Sequence, residues 1–253
     1  MKTKDRRERV LQDLIEKRRV SIEELARELD VSTMTIRRDL RRLADEDVVT
    51  LVHGGAVYNE GSAYLPAMSV RERQMRREKS LIAEYCASHI PEGSAVYLDN
   101  GSTTVEIADA LRGKQNIAVL SHSLPVLNIL SNAKNIQLVS IPGIYELNAK
   151  GFFGDLAIRM IRQFRIDIAF LGVTAVDTED GVMSAVFYEQ ALKKALIERA
   201  RKKILAIDHT KIGGSSFLKV CDLKDIDGIV TDRLANPSFL KSAARLGIDV
   251  VQV

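Results

Sequence analysis

The chain of 253 residues contains no tryptophan, and only 5% of it is aromatic. That scarcity argues against the stacking platforms on which proteins lay out single-stranded nucleic acid. Cysteine is nearly missing. Cys86 and Cys221 make no disulfide framework, and neither belongs to a CxxC pair. No apolar run approaches the ~18 residues of a membrane helix; the longest stretches, such as Ile168 to Leu171, are strand-sized. The opening MKTKDRRERV is charged where a secretory signal turns apolar. The expected location is therefore the cytoplasm, with no membrane partner. An excess of one charge is also missing: 37 Lys and Arg against 34 Asp and Glu leave +3, which as a total says almost nothing about nucleic acid. The signatures of P-loop, zinc-hydrolase, dinucleotide-binding and nucleophile-elbow chemistry are all absent. His53, His89, His122 and His209 are scattered, with no pair at ligand spacing. No metal, no cofactor and no catalytic set is expected.

What remains is a folded globular composition, 46% apolar and 28% charged, of a length that fits one large domain or two modest ones. Two textures divide it. Residues 1–58 form short amphipathic helices dense in charge. From about residue 69, apolar strands alternate with helices. The stretch 59–68, with Gly, Ser and Pro and no period, reads as a linker.

In the first region Val10, Leu11, Leu14 and Ile15 stripe one helix. Ser21-Ile-Glu-Glu24 is a capping box for a second, which carries Ile22, Leu25, Ala26 and Leu29. After the break Asp30-Val31, Ser32 can cap a third, striped by Ile36, Leu40 and Leu43. Then come a strand, the turn His53-Gly54-Gly55 and a returning strand. This is the order of a winged helix-turn-helix. On a helical wheel Met34, Arg37, Arg38 and Arg41 lie opposite the apolar stripe, with Thr35 and Arg42 on a flank. Residues 31–43 hold four arginines against Asp39, a local charge of +3, inside residues 1–60, where 13 basic residues balance 13 acidic ones. Arginine's planar fork takes a phosphate, or guanine O6 and N7, bidentately. Ser32, Thr33, Met34 and Thr35 at the helix start, the four arginines, and His53, Gly54 and Gly55 in the wing are the candidate contacts to double-stranded DNA. An ordinary solvated helix face is the alternative.

The strings Val31-Ser-Thr-Met-Thr-Ile-Arg-Arg-Asp-Leu40 and His53-Gly-Gly-Ala56 resemble the DeoR family of bacterial transcription regulators. The chain departs from the family's usual wing at Asp47, commonly Gly, and at Leu51, commonly Arg. The second departure removes an expected backbone contact.

The second region opens on Ser69-Val-Arg-Glu72, another capping box, which predicts a connecting helix over 69–90. Strands are expected to start near Ala95, Ile117, Ile136, Ile168, Ile204, Ile229 and Asp249. Helices are expected over 103–112, 124–132, 154–164, 187–202 and 237–246. The alternation predicts a mainly parallel, Rossmann-like α/β domain over 69–253. After its first strand, Asp99-Asn-Gly-Ser-Thr-Thr104 opens a helix. Gly101 allows close backbone approach, Ser102, Thr103 and Thr104 offer hydroxyls and amides to an anion, and Asp99 can accept from sugar hydroxyls. An ordinary capped strand-to-helix turn is the alternative. Ser121-His122-Ser123, Gly143, Gly154, Gly172, Glu189, Lys193, Asp208 and Lys211 lie at other strand ends or helix starts. Taken singly, Lys193 and Lys194 read as surface lysines.

The resemblance extends over roughly residues 4–231, through D-x-G-S-T-T, Phe153-Gly154, Glu189 to Lys193, and Asp208-His-Thr-Lys211. It implies a sensor domain similar in fold to ribose-5-phosphate isomerase and glucosamine-6-phosphate deaminase, and a phosphorylated sugar as effector. Ser121-His122-Ser123 stands where many members have Thr-Asn-Ser, and Pro142-Gly143 where many have Gly-Gly. The leading expectation is a repressor of a carbohydrate operon that binds operator DNA as a homodimer or homotetramer. Helix 69–90, with Arg71, Arg73, Arg76, Arg77 and Lys79, would join the domains and relay the signal. A sugar-phosphate isomerase or deaminase working through Asp99, Asp208 and Lys211 is the rival. An RNA-binding protein on an α/β scaffold comes third.

Overall fold

The computed structural model describes residues 3–45, 48–59 and 65–253. Asp47 and residues 60–64 of the expected linker lie outside that description, as does the side chain of Ile15. The chain divides into two compact units, Met1–Gln74 and Met75–Val253. Among the described residues, no helix is long and apolar enough to cross a membrane.

The first unit runs α1 (Thr3–Lys17), β1 (Arg19–Ser21), α2 (Ile22–Glu28), α3 (Thr33–Asp45), β2 (Val49–Val52), β3 (Gly55–Tyr58) and α4 (Met68–Arg71). The three strands form an antiparallel sheet in the order β1-β3-β2. The apolar stripes of all three longer helices meet in one core of Val10, Leu11, Leu14, Leu25, Ile36, Leu40 and Leu43, closed by Val20, Val49 and Ala56 of the sheet. Ser21 caps α2, accepting from the Glu24 amide at 3.5 Å. β2 and β3 pair from Val49↔Tyr58 to Val52↔Gly55. That register leaves a two-residue loop, His53-Gly54, in which Gly54 has φ +75°, a conformation glycine adopts without penalty.

The second unit runs α5 (Arg76–Ser88), β4 (Ala95–Leu98), α6 (Ser102–Ala110), β5 (Ile117–Ser121), α7 (Leu124–Leu130), β6 (Ile136–Ser140), β7 (Ile144–Glu146), β8 (Gly151–Phe153), α8 (Asp155–Ile161), β9 (Ile166–Leu171), β10 (Ala175–Asp177), β11 (Gly181–Ser184), α9 (Phe187–Arg199), β12 (Ala200–Ala206), β13 (Leu218–Cys221), β14 (Gly228–Thr231), α10 (Pro237–Arg245) and β15 (Asp249–Gln252). All seven expected strands join one parallel sheet, in the order β15-β14-β12-β9-β4-β5-β6. β4 is the first of them in the chain. β5 and β6 add on one side of it, and β9, β12, β14 and β15 on the other. The direction of growth thus reverses between β4 and β9, and such a switch point opens a crevice at the strands' carboxyl ends. One core packs α5, α6 and α7 on one face of the sheet through Ile82, Ile107 and Val126. The other packs α8, α9 and α10 on the opposite face through Ile161, Leu196 and Phe239.

The expected helix over 69–90 is corrected. It is two helices, α4 and α5, separated by a break at which Met75 adopts the left-handed conformation, φ +48°. The N-cap of α4 is Ala67, so Ser69 lies inside the helix and makes no capping box. The two pieces serve different cores. Val70 packs with the core of the first unit, whereas Ile82, Ala83 and Cys86 pack with the sheet of the second. The helix expected to run through 202 ends at Arg199, because Ala200, Lys202 and Lys203 pair with β9. The β7–β8 hairpin and the small sheet β10-β11-β13 were not expected.

Candidate functional site

The first candidate surface is α3 with the β2–β3 wing. Ser32 caps the helix: its Oγ accepts from the Thr35 amide at 3.2 Å and lies 2.9 Å from the Thr35 hydroxyl. Both hydroxyls are thereby drawn into the cap. Ile36, Leu40 and Leu43 are buried, while Thr33, Arg37, Arg38, Arg41 and Arg42 are exposed and Met34 is 70% exposed. Asp39, the one acid among these arginines, is on the buried face. Arg6 and Arg7 of α1 reach it through Nε at 2.7 and 2.8 Å. Burial pushes the Asp39 carboxyl up, but these two guanidiniums outweigh it and hold it below the usual carboxylate range. The acid is withdrawn and neutralised, so the exposed charge from Thr33 to Arg42 is all positive, with Asp45 exposed at the last position of the helix. Arg37 and Arg41 share a groove of about 380 Å³ with Leu51, His53 and Gly54 of the wing.

The backbone of Gly55 lines the same groove. It is buried, and a side chain there would collide with the Val20 carbonyl oxygen of β1. Its bareness serves the close packing of β1 on β3; in the wing turn, His53 and Gly54 are exposed.

The second candidate site lies at the carboxyl ends of β4, β5 and β9, on the switch point. Asp99, one residue past β4, is 1% exposed. Its Oδ2 accepts from the Gly172 amide past β9 at 3.1 Å and from Lys193 Nζ. Lys193 is only 2% exposed; it also donates to the Gly172 carbonyl at 2.7 Å and lies 3.8 Å from Glu189 Oε2, one helical turn back on α9. Ser184 of β11 donates to Glu189 at 2.8 Å. The expectation of a surface lysine holds for Lys194 and is corrected for Lys193. Burial pushes the Asp99 carboxyl up, and the adjacent Lys193 ammonium more than offsets this, so Asp99 is ionised below the ordinary range. Past β5, His122 places Nε2 3.8 Å from Asp99 Oδ1 and Nδ1 2.7 Å from the Tyr97 hydroxyl. Burial pushes the imidazole down to about 4, against the pull of Asp99, so it is neutral near pH 7.

Several expected ligand groups are also engaged in building this crevice. Thr104 Oγ1 accepts from the Gly101 amide at 3.0 Å and lies 2.6 Å from the Asp99 carbonyl, closing the loop on itself. Ser121 Oγ donates to the Leu98 carbonyl at 2.7 Å and accepts from the Ser123 amide at 3.1 Å. A Cβ on Gly172 would lie 3.3 Å from the Gly101 Cα, so these two glycines let the β4 and β9 loops meet. Gly143 is glycine because a Cβ would stand 2.5 Å from the Phe153 carbonyl. Gly154, φ +108°, is the N-cap of α8. Ser102 and Thr103 are buried in the first turn of α6.

Asp208, past β12, is held by a separate set. It accepts from the Thr210 amide at 3.1 Å and from the Thr210 hydroxyl, and lies 4.0 Å from Lys79 Nζ. Lys79 is buried. Lys211 lies in the short 3-10 turn His209–Lys211 that Asp208 caps. Three residues of the main cluster went unread in the sequence: Tyr97, Asn100 and Ser184. Asn100 lies inside the D-x-G-S-T-T string, where the unspecified position hid it. Its side-chain amide donates to the Ala149 carbonyl at 2.9 Å. The buried Asp99 Oδ1, Asn100 Oδ1 and Ser123 Oγ make no hydrogen bond among the described residues. Buried polar atoms in native proteins are seldom left so, and all three lie on the loops that follow β4 and β5.

The family model described as a DeoR-like helix-turn-helix domain matches residues 6–62, and the one described as the DeoR C terminal sensor domain matches residues 74–233. The glycerol-3-phosphate regulon repressor of Escherichia coli (strain K12) is 32% identical over 84% of this chain and 84% of its own. The transcriptional regulator IolR of Bacillus subtilis (strain 168) is 32% identical over 85% of each chain. The transcriptional repressor GlcR of the same strain is 28% identical over 96% of this chain and 93% of its own. Among solved structures, ribose 5-phosphate isomerase A from Methanocaldococcus jannaschii aligns over 53% of each chain at 16% identity and a TM-score of 0.40. The chain belongs to the DeoR family of helix-turn-helix transcriptional regulators.

Proposed function

We propose that this regulator represses a carbohydrate-metabolism operon, reading its operator with α3 and the wing, and that a phosphorylated sugar held at the Asp99 crevice controls it. The observation that carries the first part is the separation of charge on α3: four arginines face outward while Asp39 is buried between Arg6 and Arg7. Arg37, Arg38 and Arg41 project from the helix into the major groove, and Arg42, His53 and Gly54 meet phosphates. The named relatives are repressors and regulators, and the enzyme alternative falls with the family. Operators read by helix-turn-helix proteins are commonly two-fold, so the working form is a homodimer or homotetramer.

The test is a gel shift on duplexes from the promoter regions flanking the protein's own gene. Each bidentate arginine contact is worth about 1–3 kcal/mol. Arg37→Ala and Arg38→Ala are each expected to weaken specific binding by roughly five- to 150-fold with the fold retained by circular dichroism. Wild-type affinity in both variants would overturn the assignment of the reading face.

A further inference from the structure

We propose that His122 is a specificity-determining residue of the effector site: together with Asp99 it reads one hydroxyl group of the ligand, and Tyr97 is the positioning residue that sets the imidazole tautomer for that task. This rests on the reading of the Asp99 crevice as the effector site.

Two atoms face each other across the crevice. Asp99 Oδ1 is buried and accepts no hydrogen bond among the described residues, since Lys193 and the Gly172 amide both bind Oδ2. His122 Nε2 stands 3.8 Å away. That is too long for a direct hydrogen bond and short enough for one oxygen to bond both.

The proton on the imidazole follows from Tyr97. The phenol is fully buried, and its oxygen is 2.7 Å from His122 Nδ1. If Nδ1–H donated to the phenol, the phenol's own proton would have no acceptor among the described groups around it. An unmet buried donor is costly. Tyr97 therefore donates, Nδ1 accepts, and the ring proton resides on Nε2, pointing toward the Asp99 carboxylate. The ring is fixed from its other sides as well. Phe153 meets it edge-on at 5.0 Å, Tyr188 packs on Phe153 at 4.6 Å, and the Phe152 amide donates to the His122 carbonyl at 2.8 Å.

The crevice thus presents one fixed donor and one fixed acceptor. A hydroxyl complements both, because it donates and accepts. An ammonium only donates and would face the Nε2 proton. A fluorine only accepts, and a C–H group does neither. Asn100 Oδ1 and Ser123 Oγ, on the loops after β4 and β5, are two further buried polar atoms with no hydrogen bond among the described residues. The hydroxyl-bearing end of the sugar is therefore the end buried against β4 and β5.

Two measurements test it on the full-length protein. Long-range proton–nitrogen NMR, with His122→Asn assigning the ring, should show the Nε2–H tautomer in the wild type and its loss in Tyr97→Phe. An Nδ1–H ring in the wild type overturns the proposal. Calorimetry with glycerol-3-phosphate, ribose-5-phosphate, glucose-6-phosphate and fructose-6-phosphate, then with the deoxy and fluoro analogues of each that binds, supplies the second. Removing one hydroxyl should weaken wild-type binding by roughly ten- to 100-fold, the range for a hydrogen bond to a charged buried partner. The same removal should cost His122→Asn and Tyr97→Phe less than about threefold. Equal losses in wild type and both variants at every hydroxyl overturn the hydroxyl reading while the effector site stands. Binding of no member of the panel to the wild type overturns the effector site and this inference together.

Discussion

Lys193 shows how much a single residue withholds from the sequence. Read alone, it is one of two adjacent lysines on a helix. Its neighbour Lys194 is exposed, yet Lys193 is buried against Asp99, 94 positions earlier in the chain. Helical spacing revealed that Glu189 and Lys193 share a face; nothing local revealed that the face turns inward. Asp99 itself is marked by its loop, in which a glycine and three hydroxyl residues follow the carboxylate after an apolar strand, although an ordinary capped turn has the same pattern. The consequence is energetic. Removing one partner of a buried ion pair strands the other charge, at about 3–5 kcal/mol, while removing both often costs little. Lys193→Met should therefore destabilise the protein by about 3–5 kcal/mol in urea unfolding. The double variant Asp99→Asn, Lys193→Met should recover most of that loss and still fail to respond to an effector. Additive losses in the double variant would mean that the two groups do not act as a pair.

At the scale of elements, the two periodicities carried most of the fold. The seven core strands read correctly because strands buried on both faces must be apolar throughout, as Ile168 to Leu171 is. The α3 stripe read correctly because one face packs on α1 and α2. The misses have physical causes. β1, β7 and β8 span three residues each, too short to show a period. The start of β12 is disguised by Arg201, Lys202 and Lys203. The break at Met75 is tertiary: the capping pattern and the apolar residues on either side suit one helix, but they serve two cores. The wing glycines, adjacent and alike in sequence, separate in structure. Gly54 has a positive φ and open space around it, so Ala there should cost about 1 kcal/mol of backbone strain. Gly55 abuts the Val20 carbonyl, a backbone atom that cannot move aside without breaking the β1–β3 pairing. Gly55→Ala should therefore lower the thermal midpoint far more than Gly54→Ala and remove DNA binding with it. Equal midpoints for the two variants would refute the packing role of Gly55.

For the whole molecule, a net charge of +3 conceals an organised distribution. One helix presents arginines, the acid among them is buried and neutralised, and the second unit carries a buried, nearly balanced cluster of Asp99, Lys193, Glu189 and neutral His122. On the proposed reading, DNA is held by that one face, and the effector has to shift only the balance between the DNA-bound and DNA-free forms. If the effector acts as an inducer, it must bind the DNA-free form better than the DNA-bound form. A coupling of about 1–3 kcal/mol changes affinity by roughly five- to 150-fold. Linkage makes the effect reciprocal: whatever factor the effector takes from operator affinity, saturating operator must take from effector affinity. Calorimetric titration of the effector with and without a saturating operator duplex measures this directly. The expected result is a matching loss of affinity in the presence of operator. A matching gain would make the effector a co-repressor and reverse the sign of control. Identical affinities would show that the crevice and the arginine face are not coupled, since a ligand that binds two states equally shifts neither.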